Sequence, residues 1–121
     1  MPQPRILIVD DDPQIRKLVR AVLSRQGFRT LEAVDGREGL AAIHACDGAI
    51  DAVVSDLDMP GMDGRSLTQQ LKRNHPSIPV LVLSSAADPS DLSWCDAIMQ
   101  KPFVPLKLAA AVQRLLRGSE N

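Results

Sequence analysis

Three short runs in this chain are apolar without alternation: Ile6-Leu7-Ile8-Val9, Ala52-Val53-Val54 and Val80-Leu81-Val82-Leu83. A strand with one wet face alternates apolar and polar residues, so runs this rich in β-branched residues predict strands covered on both faces. The segments between them supply the cover. Ile15, Leu18, Val19, Val22 and Leu23 recur at helical spacing, and Gly27 is a natural stop for that helix. Residues 36–45 read as a second helix with Leu40, Ala41 and Ile43 inward, and residues 64–74 as a third with Leu67 and Leu71 four apart. Leu108, Val112, Leu115 and Leu116 mark a last helix. Residues 30–34 form a weaker strand, residues 98–100 a short one, and "MPGMDG" a loop by its Pro and Gly content.

Strands that alternate with helices imply parallel βαβ units with right-handed crossovers. With 121 residues, 45% of them apolar, one core and one domain over residues 1–121 are expected. The net charge of -1 lacks the basic excess of a nucleic-acid surface, and aromatics at 2% leave little for base stacking. No segment reaches the roughly 18 unbroken apolar residues of a membrane span, and no signal peptide is expected at the start. Cys46 and Cys95 lack metal-ligand spacing and read as reduced, small apolar residues of a cytoplasmic protein.

In a doubly wound sheet the ligand site lies at the carboxyl ends of the strands. The first strand runs into Asp10 and Asp11, the strand at residues 52–55 into Asp56, and the next into Ser84. The last short strand leads to Lys101-Pro102. Three carboxylates, a hydroxyl and an ammonium therefore meet at one edge. Like charges about 4 Å apart repel by roughly 4 kcal/mol at an effective dielectric near 20, so the acids need a cation, a proton or solvent. Oxygen ligands without His or Cys suit a hard ion, and Mg²⁺ above all. Neither His44 nor His75 stands at a strand end, so acyl transfer lacks its base; both read as surface helix residues. Phosphoryl transfer fits, with one carboxylate attacking and Lys101 pairing with the phosphoryl group. Asp12 precedes Pro13 and reads as the N-cap of the first helix, not as a third ligand. Asp63 reads as the cap of the third helix, and Met59 and Met62 as local packing in the loop.

"ILIVDDDPQIRKL", "DAVVSDLDMPGMDG", "PVLVLSS" and "KPF", in this order over nearly the whole chain, resemble a response-regulator receiver domain of two-component signalling. The resemblance implies a flavodoxin-like five-stranded parallel sheet ordered 2-1-3-4-5. It implies that Asp10 and Asp11 form an acidic Mg²⁺ pair, that Asp56 is the phosphoacceptor and a ligand, and that the Asp58 backbone carbonyl is a further ligand. Ser84 falls at the switch Ser/Thr position, with Ser85 its rival one residue on, and Lys101 at the phosphate-binding lysine. A cis peptide before Pro102 is implied too, and X-Pro bonds are where cis occurs. A sensor histidine kinase or a histidine phosphotransfer protein would donate to Asp56, and Ser84 would then turn toward the phosphoryl group and shift a partner-binding surface. Such a domain catalyses its own phosphorylation and dephosphorylation without being a turnover enzyme. Arg16, Lys17, Arg20 and Arg25 read as a solvated face of the first helix, where family members often meet the kinase.

The chain also departs from this pattern. Residues 84–101, "SSAADPSDLSWCDAIMQK", are several short of the usual loop, helix and return to the fifth strand. The fold expected is therefore one with a shortened or degenerate fourth helix, starting near Asp88 or Ser90 if present. Trp94-Cys95 replaces a usual Gly-Ala pair, and Ile98 stands where many receivers carry a switching aromatic. Asp58 and Ala86 occupy the positions that modulate water access to the acyl phosphate. The output domain or downstream partner is unknown, and "RGSEN" is a polar tail or linker. One alternative is a receiver-like interaction module that works without phosphorylation. Another is a haloacid-dehalogenase-type phosphohydrolase using "DLD" at Asp56 and Asp58, although those enzymes carry that motif on their first strand.

Overall fold

A computed structural model of the chain describes residues 3–85 and 93–119. Among the described residues five strands and four helices follow one another, alternating as expected as far as β4: β1 (Arg5–Val9), α1 (Pro13–Arg25), β2 (Arg29–Ala33), α2 (Gly36–Ala45), β3 (Ala52–Asp56), α3 (Gly64–Asn74), β4 (Val80–Ser84), β5 (Ala97–Gln100) and α4 (Pro105–Ser119). All strand pairs are parallel, in the order β2-β1-β3-β4-β5. The runs that lack alternation are buried on both faces. Leu7, Val9, Val53, Val80 and Val82 meet Ile43 of α2 and Leu67 and Leu71 of α3. Ile6, Ile8, Val54, Leu81 and Leu83 meet Val19 and Leu23 of α1 and Leu108 and Val112 of α4.

The helix starts follow from single residues. Asp12 caps α1 by accepting the Gln14 N–H at 2.9 Å, with Pro13 fixed in the first helical position. Asp35 caps α2 through the Glu38 N–H (2.8 Å), while the Glu38 carboxylate reaches back to accept from the Val34 N–H (3.3 Å), one residue before the cap. Asp63 caps α3 through Ser66 N–H (2.8 Å), as the sequence indicated. Gly27 adopts a φ of +86° where α1 stops, a conformation that costs an L side chain.

Leu18, Ala41, Met59 and His75 depart from expectation. Leu18 is 42% exposed, because the buried stripe of α1 runs through Ile15, Val19, Val22 and Leu23 and leaves Leu18 at its margin. Ala41 is exposed on α2; Gly36 and Gly39 lie inward instead, where the absence of a Cβ brings the helix close to Met62 and Val9. Met59 belongs to the main core beside α3 rather than to local loop packing. His75 is half-buried, its ring lying over Gly48.

The shortened helix expected from about residue 88 or 90 lies outside the described residues, as does Ala86. Among the described residues between β4 and β5 none is helical. Trp94, Cys95 and Ile98 pack against the core on the α2–α3 side of the sheet, and the Arg65 guanidinium stands 5.7 Å from the Trp94 ring centroid. Asp96 fastens the start of β5: its carboxylate accepts the Val80 N–H at 2.7 Å and pairs with Lys72 at 2.8 Å.

Candidate functional site

The carboxyl ends of β1, β3 and β5 converge as their spacing required. Asp10 stands one residue past β1, Asp56 is the last residue of β3, and Lys101 follows β5. The sheet ladder extends into the site and fixes these backbones. The Asp10 N–H donates to the Ala33 carbonyl (3.1 Å), the Leu57 N–H to Leu83 (2.8 Å) and the Lys101 N–H to Ser84 (2.7 Å). Lys101-Pro102 is a cis peptide bond, as the resemblance implied.

Asp10 and Asp56 are buried, 2% and 6% exposed, whereas Asp11 is exposed. One carboxylate oxygen from each of the three lies within 4.8 Å of the others, an arrangement that could hold a metal ion. The Lys101 Nζ donates to Asp56 at 3.0 Å and to Asp10 at 3.3 Å, spanning the two buried acids. Burial raises the Asp10 pKa above the usual carboxylate value; the Asp12 N–H, which donates to its Oδ1 at 2.9 Å, works against this, and the Asp56 charge adds to it. Burial pulls the Lys101 ammonium down, but its hydrogen bond to Asp56 and the two carboxylate charges outweigh that and leave its pKa raised. The site thus holds a firmly charged lysine beside an acid that carries its charge reluctantly. A divalent cation would relieve the second condition, and oxygen donors alone, two of them buried, match a hard ion.

Asp58 is exposed two residues past β3, and its carboxylate meets the Ser85 hydroxyl at 3.5 Å. Ser84 is buried at the end of β4, 1% exposed, while its rival Ser85 is exposed. Asp12 stays apart from the acidic group as the α1 cap. One contributor was not read from the sequence as part of the site: Gly64. A Cβ there would strike the Asp56 carbonyl oxygen and come within 3.0 Å of the Leu57 Cα, and the Gly64 N–H donates to the Leu57 carbonyl at 2.9 Å. The first residue of α3 therefore rests directly on the backbone of Asp56. The signal for it was the "DG" of "MPGMDG", read only as a cap.

Comparison with known proteins agrees with this arrangement. Residues 6–113 match the family described as response regulator receiver domain. The chain belongs to that family. It is 37% identical over 119 residues to the transcriptional regulatory protein PrrA of Mycobacterium bovis, covering 94% of this chain and 50% of that protein. To the transcriptional activator protein PfeR of Pseudomonas aeruginosa it is 36% identical, covering 97% of this chain and 39% of that one. The chain thus spans about half or less of the curated relatives it matches. Among solved structures, the response regulator TrrA of Thermotoga maritima, in complex with Mg²⁺ and BeF, is 31% identical with a TM-score of 0.86, over 94% of this chain and 100% of that one. The Vibrio cholerae chemotaxis protein CheY4 is 29% identical with a TM-score of 0.87, over 95% of this chain and 100% of that one. A receiver domain is a signalling domain rather than a turnover enzyme, and here "DLD" sits at the end of the third strand, away from the first-strand position of the dehalogenase-type phosphatases. Among the described residues no helix is long and apolar enough to cross a membrane.

Proposed function

We propose that this receiver domain is a phosphorylation-dependent switch whose phosphoacceptor is Asp56. The observation that carries the reading is the placement of the Lys101 ammonium between the buried Asp56 and Asp10 carboxylates, with Asp11 beside them. An Asp56 oxygen attacks the phosphorus of a phosphohistidine on a sensor kinase or phosphotransfer protein. The P–O bond forms as the P–N bond breaks, and the imidazole leaves with the electron pair. Lys101 exchanges part of its contact with Asp56 for the transferred oxygens. Asp10, Asp11, Asp56 and the Asp58 carbonyl would hold Mg²⁺, which would supply positive charge against the phosphoryl oxygens. Ser84, buried at the end of β4, turns its hydroxyl to a phosphoryl oxygen and shifts the segment that follows. Ile98 in place of an aromatic means that this shift is not read out by a ring changing rotamer. The cytoplasm is the compartment in which such a partner kinase would meet it, and an attached or separate output module completes the pathway.

The test is the intact mass of the chain after incubation with acetyl phosphate and Mg²⁺. One added phosphoryl group, absent in Asp56→Asn and absent in EDTA, is expected. An unmodified wild-type chain, or a modified Asp56→Asn, contradicts the proposal and leaves the phosphorylation-independent interaction module as the better reading.

A further inference from the structure

Arg16 was read as part of a solvated helix face, and it is not. Its side chain is only 17% exposed. Its Nη1 donates to the Asp10 backbone carbonyl at 2.8 Å, and its Nε pairs with Glu32 at 3.5 Å. The second Glu32 oxygen takes Arg20, one helical turn on, at 3.1 Å. Glu32 lies on β2 level with Ile8 of β1, two residues before Asp10. The guanidinium is therefore held from the sheet and in turn holds the peptide that joins Asp10 to Asp11.

That peptide controls the acidic pair. The Asp10 carbonyl is the point where the chain leaves the sheet, since the Asp10 N–H still bonds to Ala33. Asp10 has its own restraints, through Lys101 and the Asp12 N–H. Asp11 is exposed, and the peptide held through the Asp10 carbonyl carries its Cα, so the plane of that peptide sets where its side chain starts from. Arg fixes such a plane better than Lys because its fork engages two partners in one rigid geometry.

We infer that Arg16, locked by Glu32, is a positioning residue for the metal site, setting the direction of Asp11 through the Asp10 carbonyl. This role rests on the Mg²⁺ reading given above. A test of sign separates it from simple electrostatics. Arg16 is a cation near an acidic pocket, so as a charge alone it repels a divalent ion, and its removal would tighten Mg²⁺ binding. As a positioning residue its removal loosens binding, and partners behind metal ligands commonly contribute 10–100-fold in affinity.

The experiment titrates MgCl₂ into the ¹⁵N-labelled full chain and follows the Asp11 and Asp12 amide resonances. Arg16→Met is expected to bind Mg²⁺ about tenfold more weakly than wild type. Equal or tighter binding overturns the inference. Should Arg16→Met fail to fold, Arg16→Lys decides, because it keeps the charge and loses the fork that reaches both the Asp10 carbonyl and Glu32. It is expected to bind Mg²⁺ several-fold more weakly than wild type. Equal or tighter binding by Arg16→Lys overturns the inference. Asp11→Asn is the control for the reading beneath it: if wild type and Asp11→Asn bind Mg²⁺ equally, the metal site itself is wrong and the role of Arg16 falls with it.

Discussion

The strand-end site and the return from β4 to β5 are built in opposite ways. At the site, each functional side chain sits at the end of a strand whose register is fixed by ladder bonds, so three distant pieces of sequence arrive together. In the return, Trp94, Cys95 and Ile98 fill the α2–α3 side of the sheet with bulk, and the Asp96 clamp to Val80 and Lys72 sets where β5 begins. The first region depends on charge and geometry, the second on packing. If the two are separate, the chemistry at the strand ends should tolerate changes in the return.

Four substitutions test whether the two regions are separate. Lys101→Met removes the ammonium from the site and should slow phosphorylation of Asp56 by on the order of 100-fold, as removal of one preorganised charge-stabilising donor usually does. Time-resolved intact mass with acetyl phosphate measures it. Gly64→Ala forces a methyl onto the Asp56 carbonyl and should cost about 1–3 kcal/mol of stability by overpacking, with slower phosphorylation. Urea unfolding and the same mass assay check both. Trp94→Ala removes a half-buried ring and its contact with Arg65, and should cost about 2 kcal/mol, less than a fully buried aromatic would. Its phosphorylation rate should stay within about twofold of wild type, since the ring packs against the apolar core and Arg65. A loss approaching that of Lys101→Met would show that the two regions are one.

The smallest effect concerns pH. The Asp10 pKa is raised in the folded protein, so the native state binds that proton more tightly than the unfolded chain does. As pH rises from the ordinary carboxylate value through the raised one, this group subtracts from stability. Asp10→Asn removes the loss, so in EDTA the variant should gain on wild type across that interval. With Mg²⁺ present wild type should recover the difference. Thermal unfolding across pH, with and without Mg²⁺, follows it.

The site was legible in the sequence because strand ends carry it. Apolar runs marked the strands, alternation with helices marked the parallel sheet, and the residues after the runs are the ones that the fold brings together. Asp12 could be separated from its neighbours because Pro13 marks a helix start. Gly64 and Arg16 were not legible. A Gly after Asp reads as a cap whether or not the helix touches a neighbouring backbone, and an Arg among basic residues reads as solvated until a Glu on another strand is known to face it. Leu18 was misplaced because five apolar residues at helical spacing exceed what the stripe of α1 can bury. The return from β4 was legible only as a departure in length, since bulk such as Trp94 carries no information about the surface it covers.

The most direct measurement is the amide spectrum of the chain with Mg²⁺ and beryllofluoride, which stands in for the phosphoryl group. Displaced resonances are expected around Asp56, Ser84 and Lys101, all lost in Asp56→Asn. A wild-type spectrum that Mg²⁺ and beryllofluoride leave unchanged would contradict it.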